Sequence, residues 1–383
     1  MFKVTENIFY IGVDDTDIDL FEGQYAVPNG VSYNSYICKD KKIAVFDTVD
    51  SRKTAQWLEN LETALNGKQP DYLIISHMEP DHASSIPAFL DRYPSASVVG
   101  NEKTFIIAER FFRDAKFKKL TVKDGDKLDL GKHRITFHFA PMVHWPEVMF
   151  SYDEADKVLF TADAFGKFGA LSHKEDWLDE ARRYYINIVG KYGISVQAIL
   201  KKVGALDIEI ICPLHGPVLK DNLAYFIDKY DIWSSYTPEE DGVFIAYASI
   251  YGNTEKTAKE LCSKLLKRGT KAETADLARC DPSQAVANAF KYSKLVIASV
   301  TCDGGILPCA EAFINKLKAK SFQNRTVGFI QNGSWCPASA KVMRTAFESF
   351  KNIAFCNSAV TVNSAMNEEA EKQLSALAEE LAE

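Results

Sequence analysis

The sequence predicts a two-domain α/β protein: a sandwich of two sheets with helices outside, then a doubly wound five-stranded parallel sheet. Three observations carry this prediction. The chain has 383 residues, and at about 150 residues per domain that asks for at least two units, each able to bury a full core. A polar segment holding proline and glycine, Ser234-Ser235-Tyr236-Thr237-Pro238-Glu239-Glu240-Asp241-Gly242, separates two differently patterned halves. After it, five apolar strands alternate with five helical stretches, as in parallel strands joined by crossover helices. The expected domains are residues 1–238 and 242–383.

In the first half, Tyr33–Ile37 and Ile43–Asp47 read as a hairpin about the charged turn Lys39–Lys42. Asp71–Ser76 is a short apolar strand running into His77. Val98–Val99, Lys132–Ala140, Val148–Tyr152, Val158–Thr161 and Ile208–Ile211 follow as strands, with helical stretches after Ser51, Asn101 and Lys174. Strand clusters interrupted by helices build two sheets with helices outside. In the second half the strands are Val243–Ala248, Glu273–Leu277, Lys294–Val300, Thr326–Gln331 and Ala359–Val362. Helices are expected over Thr254–Arg268, where Ala258, Leu261 and Leu265 share a face, after Pro282, and from Cys309, Ala338 and Glu368.

Composition narrows the function. Hydrophobic residues make up 46% and charged residues 25%, a globular balance that excludes disordered, collagen-like and coiled-coil chains. The net charge of −7, from 45 basic and 52 acidic residues, disfavours a nucleic-acid-binding surface. No apolar run reaches the ~18 residues of a membrane helix, and the opening MFKVTENIFYIGVDD lacks an apolar signal core. The expectation is a cytoplasmic protein without nucleic-acid or membrane partners. Eight scattered cysteines contain no C-x-x-C pair, so cysteine-built zinc, rubredoxin-type iron and iron–sulfur sites are not expected. The cysteines read as free thiols.

Chemistry concentrates in Ser76-His77-Met78-Glu79-Pro80-Asp81-His82, which packs four metal-competent side chains into six positions. Residues two apart in an extended chain share a face, so His77 and Glu79 can address one ion. Asp81 and His82, past Pro80, can turn to a second. His144 lies in the proline-bounded loop Pro141-Met142-Val143-His144-Trp145-Pro146; Asp163 follows a strand, and so does His215 in Cys212-Pro213-Leu214-His215-Gly216-Pro217. His133 and His138, inside a predicted strand, read as structural. Adjacent carboxylates and imidazoles at strand ends are costly unless they bind something.

The motif resembles that of the metallo-β-lactamase superfold, whose hydrolases use H-x-H-x-D-H for zinc. Here Glu79 gives H-x-E-x-D-H. Four imidazoles and three carboxylates with no thiolate favour a harder metal, and iron is the natural candidate.

The first loop of the second half reads Ser249-Ile250-Tyr251-Gly252-Asn253-Thr254, between a strand and a helix. Its hydroxyls, amide and glycine suit a phosphate at a helix N-terminus without a lysine. It is similar to the phosphate loop of flavodoxins, which hold FMN. Two further loops, Ser299-Val300-Thr301-Cys302-Asp303-Gly304-Gly305 and Gln331-Asn332-Gly333-Ser334-Trp335-Cys336, would flank it in a flavodoxin-like order and hold the isoalloxazine, with Trp335 near its edge. A partly buried loop aromatic is the plainer reading of Trp335.

A metallo-β-lactamase-like αββα sandwich followed by a flavodoxin-like domain resembles the two-part core of the flavodiiron proteins. The resemblance implies that His77, Glu79 and His144 bind one iron and Asp81, His82 and His215 the other. Asp163 and an oxo or hydroxo ligand would bridge them. It implies reduction of dioxygen to water, with reduction of nitric oxide to nitrous oxide at the same site as the alternative. It also implies a head-to-tail homodimer, which can pair again as a dimer of dimers. Lacking cysteine pairs and extra length, the chain is expected to be a minimal form. It would draw electrons from a rubredoxin, a reduced deazaflavin or a reductase. Tyr184, Tyr185 and His173 are expected to line the substrate pocket, with Tyr25 as a further pocket residue. A zinc hydrolase and an electron carrier with a vestigial metal site are the competing readings.

Overall fold

A computed structural model describes residues 1–383. The chain divides into two compact units, Met1–Asp231 and Ile232–Glu383.

In the first unit, seven strands form one sheet in the order Phe2–Lys3, Ile8–Tyr10, Tyr36–Lys39, Ile43–Phe46, Tyr72–Ile74, Ser97–Gly100 and Lys119–Thr121. The early pairs are antiparallel; from Ile43–Phe46 onward they are parallel. Five strands form the second sheet: Lys127–Asp129, Arg134–Phe139, Met149–Asp153, Val158–Phe160 and Ile210–Cys212. The two sheets share one core. Phe46 of the first stacks on Phe160 of the second at 3.9 Å, within a cluster that includes Ile74, Val99, Ile135 and Phe137. The helix Thr54–Leu65 buries Trp57, Leu61, Ala64 and Leu65, spaced to form one apolar face. It stops at Asn66, a left-handed residue whose N–H bonds to Glu62 O.

The second unit has the strand order Ala272–Asp276, Glu240–Ala248, Tyr292–Cys302, Arg325–Asn332, all parallel. The helices Asn253–Lys267 and Glu368–Ala382 bury Leu261, Leu265, Leu374 and Leu377 against Val243, Ile245 and Val296. This is the expected doubly wound sheet. The last position differs from expectation. It is filled by two short strands, Ile353–Phe355 and Val360–Val362, both paired to Arg325–Asn332. Glu380 explains the interruption, because its carboxylate accepts from the N–H groups of Asn357 and Ser358 at 2.7 and 2.9 Å.

Other differences lie where the signal is weak. Tyr33 belongs to a separate ribbon, Val13–Asp15 with Val31–Tyr33, and the hairpin strand begins at Tyr36. The short strands before Tyr33, the helices Ile86–Arg92, Gly193–Val203 and Leu223–Ser234, and the wide turn Tyr185–Val189 were not expected from periodicity. The polar segment is shorter than expected, since helix continues to Ser234 and strand starts at Glu240. Glu240 pairs with Tyr292 across a bulge, and Lys271 holds its carboxylate at 2.8 Å.

Arg325 ties the base of the second sheet together. It is 3% exposed and has no carboxylate partner. Its guanidinium donates to the carbonyls of Tyr292, Tyr236, Gln323, Asn324 and Phe290. Burial pulls it down to about 10, so it stays charged at neutral pH. Arg325→Met strands these carbonyls, and we expect a loss of about 3 kcal/mol in the second unit. A lower urea midpoint for that unit checks this; an unchanged midpoint contradicts it.

Candidate metal centre and cofactor pocket

Seven side chains converge just beyond the ends of four strands of the first unit. His77 and Glu79 follow Tyr72–Ile74, and Asp81 and His82 ride the single helical turn Pro80–Ala83. Pro80 suits that first helical position because it needs no N–H partner there. His144 follows Arg134–Phe139, Asp163 follows Val158–Phe160, and His215 follows Ile210–Cys212. They form two groups, His77/Glu79/His144/Asp163 and Asp81/His82/His215. In the first, Glu79 Oε2 lies 3.2 Å from His77 Nε2 and 3.1 Å from His144 Nε2. In the second, Asp81 Oδ2 lies 3.1 Å from His82 Nε2 and 3.2 Å from His215 Nε2. Asp163 divides its oxygens between them. Oδ2 is 3.1 Å from His144 Nε2, and Oδ1 is 3.2 Å from His82 Nε2.

These atoms fit a pair of cations better than they fit one another. His82 Nε2 and His215 Nε2 face each other at 3.0 Å. Both oxygens of Asp81 and Oδ1 of Asp163 are buried without a hydrogen bond of proper geometry, despite their short approaches to imidazole nitrogens. Buried anions in that state are costly. Among the protein groups themselves, the imidazoles take up the charge. Burial opposes it, yet Asp81 and Asp163 push His82 up to about 10, and Asp163 and Glu79 push His144 to about 9. Burial likewise opposes the charge on Asp163, which His77 and His144 hold well below the usual carboxylate range. Three carboxylates and four imidazoles without a thiolate suit iron.

Residues that the sequence reading missed hold this geometry. Asp47 closes the strand Ile43–Phe46, and its Oδ1 accepts from the N–H groups of Ser76 and His77 at 2.7 and 3.3 Å. Next to it, Thr48 donates to His82 O through its N–H at 2.9 Å and its hydroxyl at 2.6 Å. One dipeptide therefore grips both ends of the His77–His82 segment. Behind the rings, His77 Nδ1 meets Glu147 Oε1 at 2.8 Å, and His215 Nδ1 meets Ser32 O at 2.7 Å. Glu22 sits on the hairpin tip between Leu20–Phe21 and Tyr25–Ala26. Although its side chain is largely exposed, its carboxyl is desolvated and faces Glu79 and Asp81, which together raise it to about 7. A third group, His133/Asp153/Asp156, is closed: His133 Nδ1 meets Asp153 at 3.0 Å and Nε2 meets Asn7 at 3.1 Å. That agrees with the structural reading of His133.

The expected pocket residues divide. The Tyr184 ring lies 5.4 Å from that of His215, and its buried hydroxyl has no partner. Burial and the charges of Asp163, Asp81 and Glu79 raise it well above a normal phenol, so it keeps its proton. Tyr25 packs on Phe168 and donates to Asn187 O at 3.1 Å; Tyr185 packs on Tyr230. His173 is exposed on the turn after Ala170 and takes no part in either ligand group. Phe21 and Trp145, not anticipated, set their rings 5.3 Å from His215 and 5.2 Å from His77.

In the second unit, three loops enclose a cavity of about 470 Å³. Ser249, Ile250, Tyr251, Asn253, Thr254, Val300, Thr301, Asp303, Gly304, Asn332, Gly333, Ser334 and Trp335 line it, together with Cys336, Ala338 and Ser364. Gly252, Ser299, Cys302 and Gly305 support these loops without lining the cavity. Gly252 has φ +86° at the start of the 15-residue helix Asn253–Lys267, where no side chain caps the first turn. Its N–H groups are thus open to an anion. Asn332 donates to Thr254 Oγ1 at 3.3 Å and Ser364 O at 3.2 Å, while Thr301 Oγ1 accepts from Ala338 N–H at 2.9 Å. These bonds cross-link the loops. Trp335 is 92% exposed at the rim, so the partly buried reading is wrong.

Comparison with known proteins agrees with both halves. Residues 31–216 match the family described as ODP family beta lactamase, and residues 245–375 match Flavodoxin. A rubredoxin-oxygen oxidoreductase of Megalodesulfovibrio gigas is 30% identical over 352 residues, covering 89% of this chain and 87% of that one. A nitric oxide reductase of Moorella thermoacetica is 27% identical over 358 residues, covering 91% and 90%. The crystal structure of the flavodiiron protein from Giardia intestinalis superposes with a TM-score of 0.92 at 23% identity, over 99% of this chain and 96% of that one. With its two domain types in this order and relatives of this length and identity, the chain belongs to the flavodiiron protein family of oxidoreductases.

Proposed function

We propose that the protein reduces dioxygen to water, using FMN and two iron ions with electrons from an external donor. The observation that carries this reading is Asp163, a buried carboxylate turning one oxygen to each of two imidazole–carboxylate groups. In this reading residues 1–238 are the metal domain and residues 242–383 the flavin domain. His77, Glu79 and His144 hold one iron, and Asp81, His82 and His215 the other. Asp163, with an oxo or hydroxo ligand, would bridge the pair. When bound, the two ferrous ions and reduced FMN supply the four electrons that dioxygen requires.

The chain's own residues supply the surroundings. Glu79, Asp81 and Asp163 set three negative charges against the cations in a site that burial keeps nearly dry. Phe21, Phe168 and Tyr184 pack on the His215 side and exclude water there. Tyr184 offers its phenolic O–H as a hydrogen-bond donor to substrate, since burial and the surrounding carboxylates hold the proton on it. Tyr25 supports that wall through Phe168, and Tyr185 packs on Tyr230. In the second unit, the open first turn of Asn253–Lys267 receives the FMN phosphate, with Ser249, Thr254 and Asn332 around it. The loops carrying Thr301, Asp303, Gly304 and Trp335 hold the ring system.

The donor in this reading is a rubredoxin, in line with the name of the Megalodesulfovibrio gigas relative; a reduced deazaflavin or a reductase could stand in. Two copies arranged head to tail form the working assembly, in the cytoplasm. No helix is long and apolar enough to cross a membrane. Nitric oxide is the second substrate to weigh, because one relative carries the name of a nitric oxide reductase.

Steady-state rates with each gas and one reduced rubredoxin test the assignment. Faster turnover of dioxygen is expected; a nitric oxide rate far above it reverses the order. Purified protein should carry one flavin and two irons per chain, whereas zinc in a colourless protein would indicate a hydrolase. Asp163→Asn should lose at least one iron per chain and lower turnover about a hundredfold or more. Retention of full oxygen consumption by that variant would make the metal site vestigial. Thr254→Val should weaken FMN about tenfold, or ~1.4 kcal/mol, by fluorescence titration. Unchanged affinity would remove Thr254 from the phosphate site.

A further inference from the structure

Resting on the two-iron reading, we infer that the metal positions are unequal. Glu147 makes the His77–Glu79–His144 position the tighter-binding one and the one of lower reduction potential.

The difference lies in what stands behind each imidazole. His77 points Nε2 at the ligand group and turns Nδ1 to Glu147 Oε1 at 2.8 Å. Glu147 is fully buried, and the same oxygen accepts from Met78 N–H at 2.9 Å. Its Oε2 is buried with no hydrogen-bond partner. This carboxylate thus has little to balance its charge except His77 and whatever cation His77 binds. Its backbone is fixed too, because Asn101 Nδ2 donates to Glu147 O at 2.5 Å. A carboxylate behind a ligating imidazole fixes the Nδ1–H tautomer and makes Nε2 a stronger donor to the metal.

The other position has no such support. His215 donates Nδ1–H to the neutral carbonyl of Ser32 at 2.7 Å. His82 Nδ1 is buried without a partner. The remaining nearby acids do not reverse the difference. Glu22 faces both Glu79 and Asp81. Asp47 lies near enough to His82 to feel its charge, but it bonds through Oδ1 to the backbone N–H groups of Ser76 and His77, not to an imidazole. One extra hydrogen-bonded negative charge therefore falls to the first position alone. It favours the more highly charged ferric ion there and slows loss of the ferrous one.

Glu147→Gln keeps the shape and a carbonyl acceptor while removing the charge, so it separates electrostatics from packing. Iron is withdrawn stepwise from the two-iron protein with a chelator, and crystals are examined by anomalous scattering after one equivalent has left. In the wild type, iron should remain between His77, Glu79 and His144. In Glu147→Gln the preference should shrink by about ten- to a hundredfold. An EPR-monitored redox titration should show the two one-electron steps moving closer in the variant, with a smaller mixed-valent population. Iron remaining at Asp81/His82/His215, or equally at both positions, overturns the inference. So does a Glu147→Gln protein with unchanged retention and unchanged steps. If the variant does not fold, the wild-type withdrawal still decides. A wild type that never holds two irons refutes the proposed function instead, which keeps the two failures distinct.

Discussion

Asp163 is the point at which the first unit meets its main electrostatic constraint. A fully desolvated carboxylate costs several kcal/mol unless opposite charge surrounds it, and here four imidazole nitrogens lie within 3.9 Å. His77 and His82 come from one segment at the end of the first sheet, and His144 and His215 from two loops of the second. Two sheets must therefore end at the same place for the charge to be satisfied. The stacked pair Phe46 and Phe160 fixes the sheets against each other. The rest of the site depends on that registration.

The burial that makes the cluster expensive also makes it specific. Asp47 and Thr48 hold the backbone of the ligand segment at both ends, so Glu79 and Asp81 have little freedom to swing away. Glu147 and Ser32 set the rings of His77 and His215 from behind. Preorganisation of this kind removes most of the entropy of ordering ligands around an ion. Tyr184 adds a proton held in place by burial first and by the same negative field second.

The second unit solves a simpler problem with a different device. Parallel strands end together, and a helix start without a side-chain cap leaves N–H groups pointing at the crevice. The loops around it are tied by side-chain hydrogen bonds, from Asn332 to the Thr254 hydroxyl and the Ser364 carbonyl and from the Ala338 N–H to the Thr301 hydroxyl. Apolar packing of Leu261, Leu374 and Val296 supplies the rigidity beneath. The ring of Trp335 stands exposed at the rim.

The sequence alone determined what is local. Alternating apolar strands and amphipathic helices after Gly242 specify a doubly wound sheet because each crossover repeats the same short-range pattern. The His77–His82 segment displays its ligands because they sit within six residues. The phosphate loop is legible for the same reason. Only the tertiary structure decided what joins distant residues: Glu147 behind His77 across 70 positions, Ser32 behind His215 across 183, and Glu22 opposite Glu79 and Asp81. It also split the last strand through Glu380 and left His173 in solvent. No periodicity or spacing encodes such pairs, because their energy depends on burial, and burial exists only once the two sheets have closed.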